Sequence, residues 1–344
     1  MAEAARNVVL LCNPRAGGRW RVLSDVLDSE EARLVRRIVT DDIDDIREAI
    51  FGLGQRVDLI CVYGGDGTIF RVINELLRTS DRPTPRLAFL GGGTMNVTSA
   101  WCGMRSSPGE NFRRVMRAYT ADRLLIRSVP VLAVTQSAQT TYGFTFGIGP
   151  LVRILERFES GDKSKINALR LGLKTVAQAI GGAHGPNQSM LEELNATITV
   201  DGRELPYDRF SAVFANTTGI INPFVQPFVA ERSPESFHFL AYAVSSREFA
   251  LMAPLLARAR LPIDPRSLLN PVSMWRQAML SVFGRGQLTS DPRYVNQAAA
   301  TLVLETNEPT YTIDGEVLAS TGRSFAVGAG PSLNLVVKGG RKQK

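Results

Sequence analysis

At 344 residues the chain exceeds one typical hydrophobic core, and its 44% hydrophobic and 21% charged residues give the balance of a globular protein rather than a disordered one. An excess of 40 Lys and Arg over 33 Asp and Glu, net charge +7, favours anionic partners: nucleotide, nucleic acid or acidic lipid headgroups. No run of about 18 apolar residues occurs and no apolar segment precedes a cleavage site, which argues against membrane spanning and secretion. Cys12, Cys61 and Cys102 lack C-x-x-C spacing, and two sit in apolar runs, so buried free thiols in a reducing cytoplasm are expected.

In chain order, Val8 to Cys12 reads as a strand, followed by a helix from about Trp20 and another across Asp44 to Leu53. Val57 to Tyr63 is a β-rich run without alternation, the pattern of a strand buried on both faces. Ile69, Val72, Ile73 and Leu76 then recur at i, i+3, i+4, i+7, so a helix follows and Gly64 to Thr68 must be the tight connection. Leu87 to Leu90 is a further strand, and Asn111 to Tyr119 a basic helix with a solvated face. This alternation predicts an α/β domain with a parallel sheet. From Leu125 onward the texture changes to short β-rich runs at Val129 to Thr135, Thr141 to Phe146, Ala196 to Val200, Phe210 to Phe214 and Phe237 to Val244, predicting an antiparallel second domain.

Two helical stretches interrupt that second part, at 151–180 and 247–283. Phe249, Leu251, Met252, Leu255 and Leu256, flanked by Arg247, Arg258 and Arg260, form an apolar stripe, and Trp275, Met279, Val282 and Phe283 with Arg276 and Arg285 repeat it. Such stripes are either core or the apolar face of helices lying on a bilayer, and both readings stay open. His184 and His238 stand in no ligand or triad spacing, and Lys338 to Lys344 reads as a solvated basic end.

The chemistry concentrates in three glycine-bearing turns after strands: Asn13-Pro14-Arg15-Ala16-Gly17-Gly18, Gly64-Gly65-Asp66-Gly67-Thr68 and Gly91-Gly92-Gly93-Thr94-Met95-Asn96. In a parallel sheet such turns gather at the carboxyl edge, where ligands bind. Glycine lets a polyphosphate approach bare backbone N–H groups at a helix's positive end. Asp66 would repel that phosphate unless a divalent cation lies between them, so its natural role is to hold Mg²⁺, directly or through water. No P-loop and no G-x-G-x-x-G occurs. Far along the chain, Asp314-Gly315-Glu316 reads from periodicity as a hairpin turn. It also fits the carboxylate pair that a phosphoryl acceptor hydroxyl needs, one to accept its proton and one to orient it.

Together these segments resemble the diacylglycerol kinase catalytic domain family, which also contains sphingosine and ceramide kinases and soluble bacterial lipid kinases. Asn13-Pro14-x-x-Gly17, Gly64-Gly65-Asp66-Gly67-Thr68, Gly93-Thr94-x-Asn96 and Asp314-Gly315-Glu316 stand in the family's order; the second motif alone is shared with NAD kinases. The resemblance implies an N-terminal three-layer α/β ATP domain over 1–125, with a returning tail at 322–344, and a C-terminal antiparallel β-sandwich lipid domain over 126–321. It implies that Asn13, Gly17, Gly64, Gly65, Asp66, Gly67, Thr68, Gly93, Thr94 and Asn96 line an ATP–Mg²⁺ site, with Asp314 as general base and Glu316 assisting. The implied activity is transfer of the ATP γ-phosphoryl group to a primary hydroxyl of a membrane lipid. Diacylglycerol is the default acceptor and ceramide or a sphingoid base the alternative; an NAD kinase or a non-catalytic lipid-binding regulator is more distant. A cytoplasmic enzyme peripheral to the inner membrane surface follows, meeting anionic lipid and no nucleic acid, with a homodimer left open. The chain departs from the family where Gly147-Ile148-Gly149 runs into Pro150-Leu151, and at Glu231 to Ser236, where relatives carry Asp-Gly and some hold a second, structural metal. Both departures weaken the substrate assignment and leave the nucleotide assignment intact.

Overall fold

The computed structural model of the chain describes residues 7–16, 20–40, 43–53, 57–78, 83–150, 152–153, 192–221, 225–249, 252 and 291–338. The helical stretches expected at 151–180 and 247–283 lie outside the described residues, apart from 152–153, 247–249 and 252, as do Gly17, His184 and the tail after Lys338. Two compact units divide the chain: Met1–Val131 with Pro331–Lys344, and Leu132–Gly330.

The first unit alternates strand and helix: β1 (Val8–Cys12), α1 (Trp20–Leu27), α2 (Glu30–Arg33), β2 (Arg36–Val39), α3 (Ile43–Phe51), β3 (Leu59–Tyr63), α4 (Asp66–Arg78), β4 (Arg86–Phe89), α5 (Val97–Trp101) and α6 (Pro108–Thr120). β1 pairs in parallel with both β2 and β3, and β3 with β4, giving the order β2-β1-β3-β4. All five residues of β1 and of β3 are buried, as strands covered by helices on both faces must be. β2 went unread in the sequence because it is an edge strand whose Arg36 and Arg37 face water. The chain leaves β1 toward β2 and returns to the other side for β3, so the sheet reverses direction between the carboxyl ends of β1 and β3. In open parallel sheets that reversal opens the crevice in which ligands sit.

The strands of the second unit are β5 (Ile126–Gln136, which starts in the first unit), β6 (Gln139–Gly143), β7 (Thr145–Ile148), β8 (Leu194–Val200), β9 (Arg203–Glu204), β10 (Arg209–Phe210), β11 (Ala212–Asn216), β12 (Phe237–Tyr242), β13 (Tyr294–Ala299), β14 (Thr301–Thr306), β15 (Thr310–Ile313), β16 (Glu316–Ala319) and β17 (Ser324–Val336, which from Pro331 belongs to the first unit). Six of these form an antiparallel sheet in the order β13-β12-β11-β7-β15-β16. A second antiparallel layer runs β10-β8-β14-β17. Phe146 and Tyr311 from the first layer pack on Phe325 from the second, at ring-centroid distances of 5.8 and 5.1 Å, so the aromatic core of this unit lies between its sheets. The α/β first unit and the antiparallel second unit are those the sequence predicts. Two runs expected as single strands are each split: Thr141 to Phe146 breaks at Phe144, and Phe210 to Phe214 at Ser211. Ser211 turns its N–H to the Tyr242 carbonyl and its hydroxyl to the Val244 carbonyl. Phe144 breaks for a reason that belongs to the candidate site.

Candidate active site

The first cluster sits at the sheet reversal. Asn13 directly follows β1, and its backbone N–H donates to the Tyr63 carbonyl at the end of β3, 2.9 Å away. Its Nδ2 donates to Thr68 Oγ1 at 3.0 Å, and its Oδ1 accepts from the Arg15 N–H at 3.0 Å. The turn after β1 is thus tied to the turn after β3 by one side chain. Gly64 to Thr68 is shorter as a loop than the periodicity suggests, because α4 opens at Asp66. The N–H groups of Asp66, Gly67 and Thr68 therefore fall in the first helical turn, where no intrahelical acceptor exists and the helix end is positive. A Cβ on Gly64 would meet the Thr68 side chain at 2.5–2.7 Å, so only glycine fits there.

The turns after β3 and β4 touch backbone to backbone. A Cβ on Gly93 would fall 2.6 Å from Gly65 Cα, and one on Gly92 would fall 3.1 Å from Gly64 N. Asp66 strengthens this junction: Oδ2 accepts the Val97 N–H and Oδ1 the Thr98 N–H, each at 3.1 Å, so the carboxylate caps α5 from another element. Asn96 stands in the left-handed region at φ 50° and turns its side chain back on the loop. Its Oδ1 accepts from the Gly92 and Gly93 N–H groups at 3.1 and 2.8 Å, and its Nδ2 donates to the Gly93 carbonyl at 2.8 Å. The Gly92 and Gly93 N–H groups are therefore spent on Asn96, whose side chain holds the loop's shape. Thr94 and Met95 stand exposed at its tip. Sequence reasoning missed Asn111: fully buried on α6, it donates Nδ2 to the Leu90 and Ser106 carbonyls at 2.9 and 3.0 Å and so fixes the start of the third loop.

A magnesium ion is commonly seated by one or two carboxylates together with substrate phosphates. Among the described residues no group of three His, Cys, Asp or Glu side chains converges, so a dedicated protein cage is absent there. Each Asp66 oxygen takes one N–H and keeps a second lone pair, which fits a single-carboxylate site. The cysteines are buried free thiols as expected, and burial pushes Cys12 and Cys102 up to about 12 and Cys61 further still, so none supplies a thiolate.

The second cluster lies in the second unit. Asp314 and Gly315, at φ 53° and 89°, form the two-residue loop of the β15–β16 hairpin, the positive-φ pair of a type I′ turn. The hairpin expected from Asp-Gly is present, but its carboxylate is not simply exposed. Asp314 Oδ1 accepts from the Phe144 and Thr145 N–H groups at 2.9 and 2.8 Å, and Oδ2 shares the Phe144 N–H at 3.0 Å. This is why the run from Thr141 breaks at Phe144: its N–H leaves the strand ladder for a side chain 170 residues away. Gly143 makes room, since a Cβ there would meet Ile313 Cγ2 and lie 2.7 Å from Asp314 Oδ2. Fully buried Asn216 completes the cluster, donating to Thr145 Oγ1 at 2.7 Å and accepting from Thr218 and Gly219 N–H at 2.8 and 2.5 Å. Neither Gly143 nor Asn216 was singled out from sequence, although a glycine inside a strand run signals close approach of another group. Glu316 begins β16 with a half-buried carboxylate that has no ion-pair partner among the described residues, while its carbonyl accepts from Thr312 Oγ1 at 3.1 Å.

Residues 7–125 match the diacylglycerol kinase catalytic domain family. Among solved structures the chain is similar to a diacylglycerol kinase from Bacillus anthracis str. Sterne, at 20% identity over 97% of each chain with a TM-score of 0.63. A provisionally assigned diacylglycerol kinase from the same strain aligns at 19% identity over 97% of this chain and 96% of that one, also with a TM-score of 0.63. At those identities the likeness establishes the fold. No curated protein matches the chain by sequence. The family match spans all three glycine-bearing turns, so the resemblance of residues 7–125 is to a kinase-type catalytic domain.

Proposed function

We propose that the protein transfers the γ-phosphoryl group of ATP to a primary hydroxyl of a membrane lipid, with diacylglycerol as the default acceptor and ceramide or a sphingoid base as the alternative. The observation that carries this reading is the Gly65–Gly93 contact with Asp66 fixed beside it: a floor of bare backbone at a positive helix end, with one carboxylate held in place. Asn13, Gly17, Gly64, Gly65, Gly67, Thr68, Gly93, Thr94 and Asn96 line the nucleotide, the first-turn N–H groups of α4 receiving its phosphates. Asp66 holds Mg²⁺, which when bound neutralises charge on the transferring phosphate. In the transfer, the bond from the γ-phosphorus to the bridging oxygen breaks, a bond to the acceptor oxygen forms, and the hydroxyl proton passes to Asp314. The neighbouring Glu316 carboxylate orients the hydroxyl.

On this reading the first unit binds ATP and the second the lipid, and the enzyme works from the cytoplasm at the inner membrane surface. No described helix is long and apolar enough to cross a membrane. The test is a radiolabelled ATP panel across diacylglycerol, ceramide, sphingosine, monoacylglycerol and NAD. Labelled phosphatidic acid is the expected product; labelled NADP alone, or no product from any acceptor, refutes the lipid kinase.

A further inference from the structure

One face of the first unit takes no part in the candidate site and sets two adjacent exposed aliphatic residues among basic ones. Leu125 and Ile126 are 53% and 39% exposed, adjacent, and joined to exposed Arg123, Arg127 and Ser128. A half-buried strand should alternate, yet both faces of β5 are open over Ile126–Ser128 and burial starts only at Val129. Two further segments close on this one. The Val337 N–H donates to the Leu125 carbonyl and the Lys338 N–H to the Cys102 carbonyl, each at 2.9 Å. Lys338 lies against Gly103, where a Cβ would sit 3.0 Å from its own. The Arg127 guanidinium is stacked 4.9 Å from the centroid of the Trp101 ring.

The charge on these segments is predominantly positive. Trp101–Ser106 carries Arg105, Asp122–Arg127 carries Arg123 and Arg127 against Asp122 alone, and the third segment brings Lys338. A pair of protruding aliphatic side chains ringed by arginine and lysine, with a tryptophan at the margin, is the chemistry of a lipid interface. Aliphatic groups enter the acyl boundary, cations meet headgroup phosphates, and the indole sits between. A nucleic acid would use the cations but has no use for Leu125 and Ile126.

We propose that this face, centred on Leu125, Ile126, Arg127 and Trp101, docks the protein on an anionic lipid surface. The test is flotation of the full chain with phosphatidylcholine vesicles with and without phosphatidylglycerol, in the absence of ATP and of any acceptor lipid. The kinase reading can then fail while docking stands, and the reverse. Wild type should float only with the anionic vesicles. Leu125→Glu with Ile126→Glu should weaken that binding by about tenfold or more, as should Arg105→Glu with Arg123→Glu. All four residues are exposed, so melting temperatures should stay at the wild-type value. Binding within about twofold of wild type in both double variants overturns the proposal. So does loss in the arginine variant alone accompanied by tight binding to single-stranded RNA, which would make the face a polyanion site.

Discussion

Asp66→Asn separates two roles that one carboxylate performs. Asp66 accepts two N–H groups of α5 at 3.1 Å, one on each oxygen. Asparagine offers a single acceptor there, and its amide NH₂ must face the other N–H. Leaving that donor unpaired costs about 1–3 kcal/mol, and losing the negative charge at the start of α5 costs about 0.3–1 kcal/mol more. The sum is roughly 2 kcal/mol, which at about 2.1 cal/mol/K of unfolding entropy per residue lowers the melting temperature of a 344-residue chain by about 3 °C. That loss should be the same with Mg²⁺ present or chelated, because capping needs no metal. Phosphoryl transfer should fall by more than about 100-fold, far beyond what the folded fraction accounts for, because the remaining oxygen is a neutral and weak ligand for the ion. The measurements are a thermal melt with and without chelator and ADP release at saturating ATP. A melting temperature within about 1 °C of wild type refutes the cap, and near-normal turnover refutes the metal role.

Three further substitutions probe the second unit. Asp314→Asn should lower kcat far more than it weakens ATP binding, since the proton acceptor matters chiefly in the transition state; a loss confined to ATP affinity would remove Asp314 as the base. Gly143→Ala pushes a methyl group to 2.7 Å from Asp314 Oδ2, so it should cost about 1–3 kcal/mol and depress kcat while leaving the ATP dissociation constant alone. Unchanged kcat would show that the position of Asp314 does not matter. His238 is pushed down to about 4, first by burial and then by the Arg232 charge, against a backbone hydrogen bond involving Ala230. Its folded value lies below the ordinary one near 6.5, so the unfolded chain takes the proton first and stability is lost as pH falls from 6.5 toward 4. His238→Gln should flatten the melting-temperature profile across that window, and parallel profiles would remove His238 as the cause.

The parallel sheet was legible because β1 and β3 are uninterrupted apolar runs, and the turns because glycine and Asp mark them. Physical detail within the turns was not. Periodicity could not show that Asp66 caps a helix thirty residues on, or that Asn96 consumes the N–H groups of its own loop, because both depend on the approach of Gly65 to Gly93. The Asp314 turn shows the same limit. The type I′ hairpin follows from Asp-Gly alone, whereas the lock on Phe144 and Thr145 needs a partner 170 residues away and a missing Cβ at Gly143. Edge strand β2 escaped notice because two arginines disguise it, and α5 because five residues are too few for a helical period.

β17 has a consequence for how the chain is made. It is one strand of 13 residues whose first part pairs with β14 and whose last part, through Leu335, pairs in parallel with β4 at Leu87. Leu333, Leu335 and Val336 are buried, so the first unit takes part of its core from residues that follow the second unit in sequence. A nascent chain that has emerged only to Val131 exposes the β4 edge and leaves that core incomplete. The first unit cannot finish folding ahead of the second in the usual order of synthesis, and an unpaired parallel edge waits until residues 331–336 have been made. Expression of residues 1–131 alone should therefore give aggregation-prone material, and supplying the 331–338 segment by circular permutation next to residue 7 should relieve it.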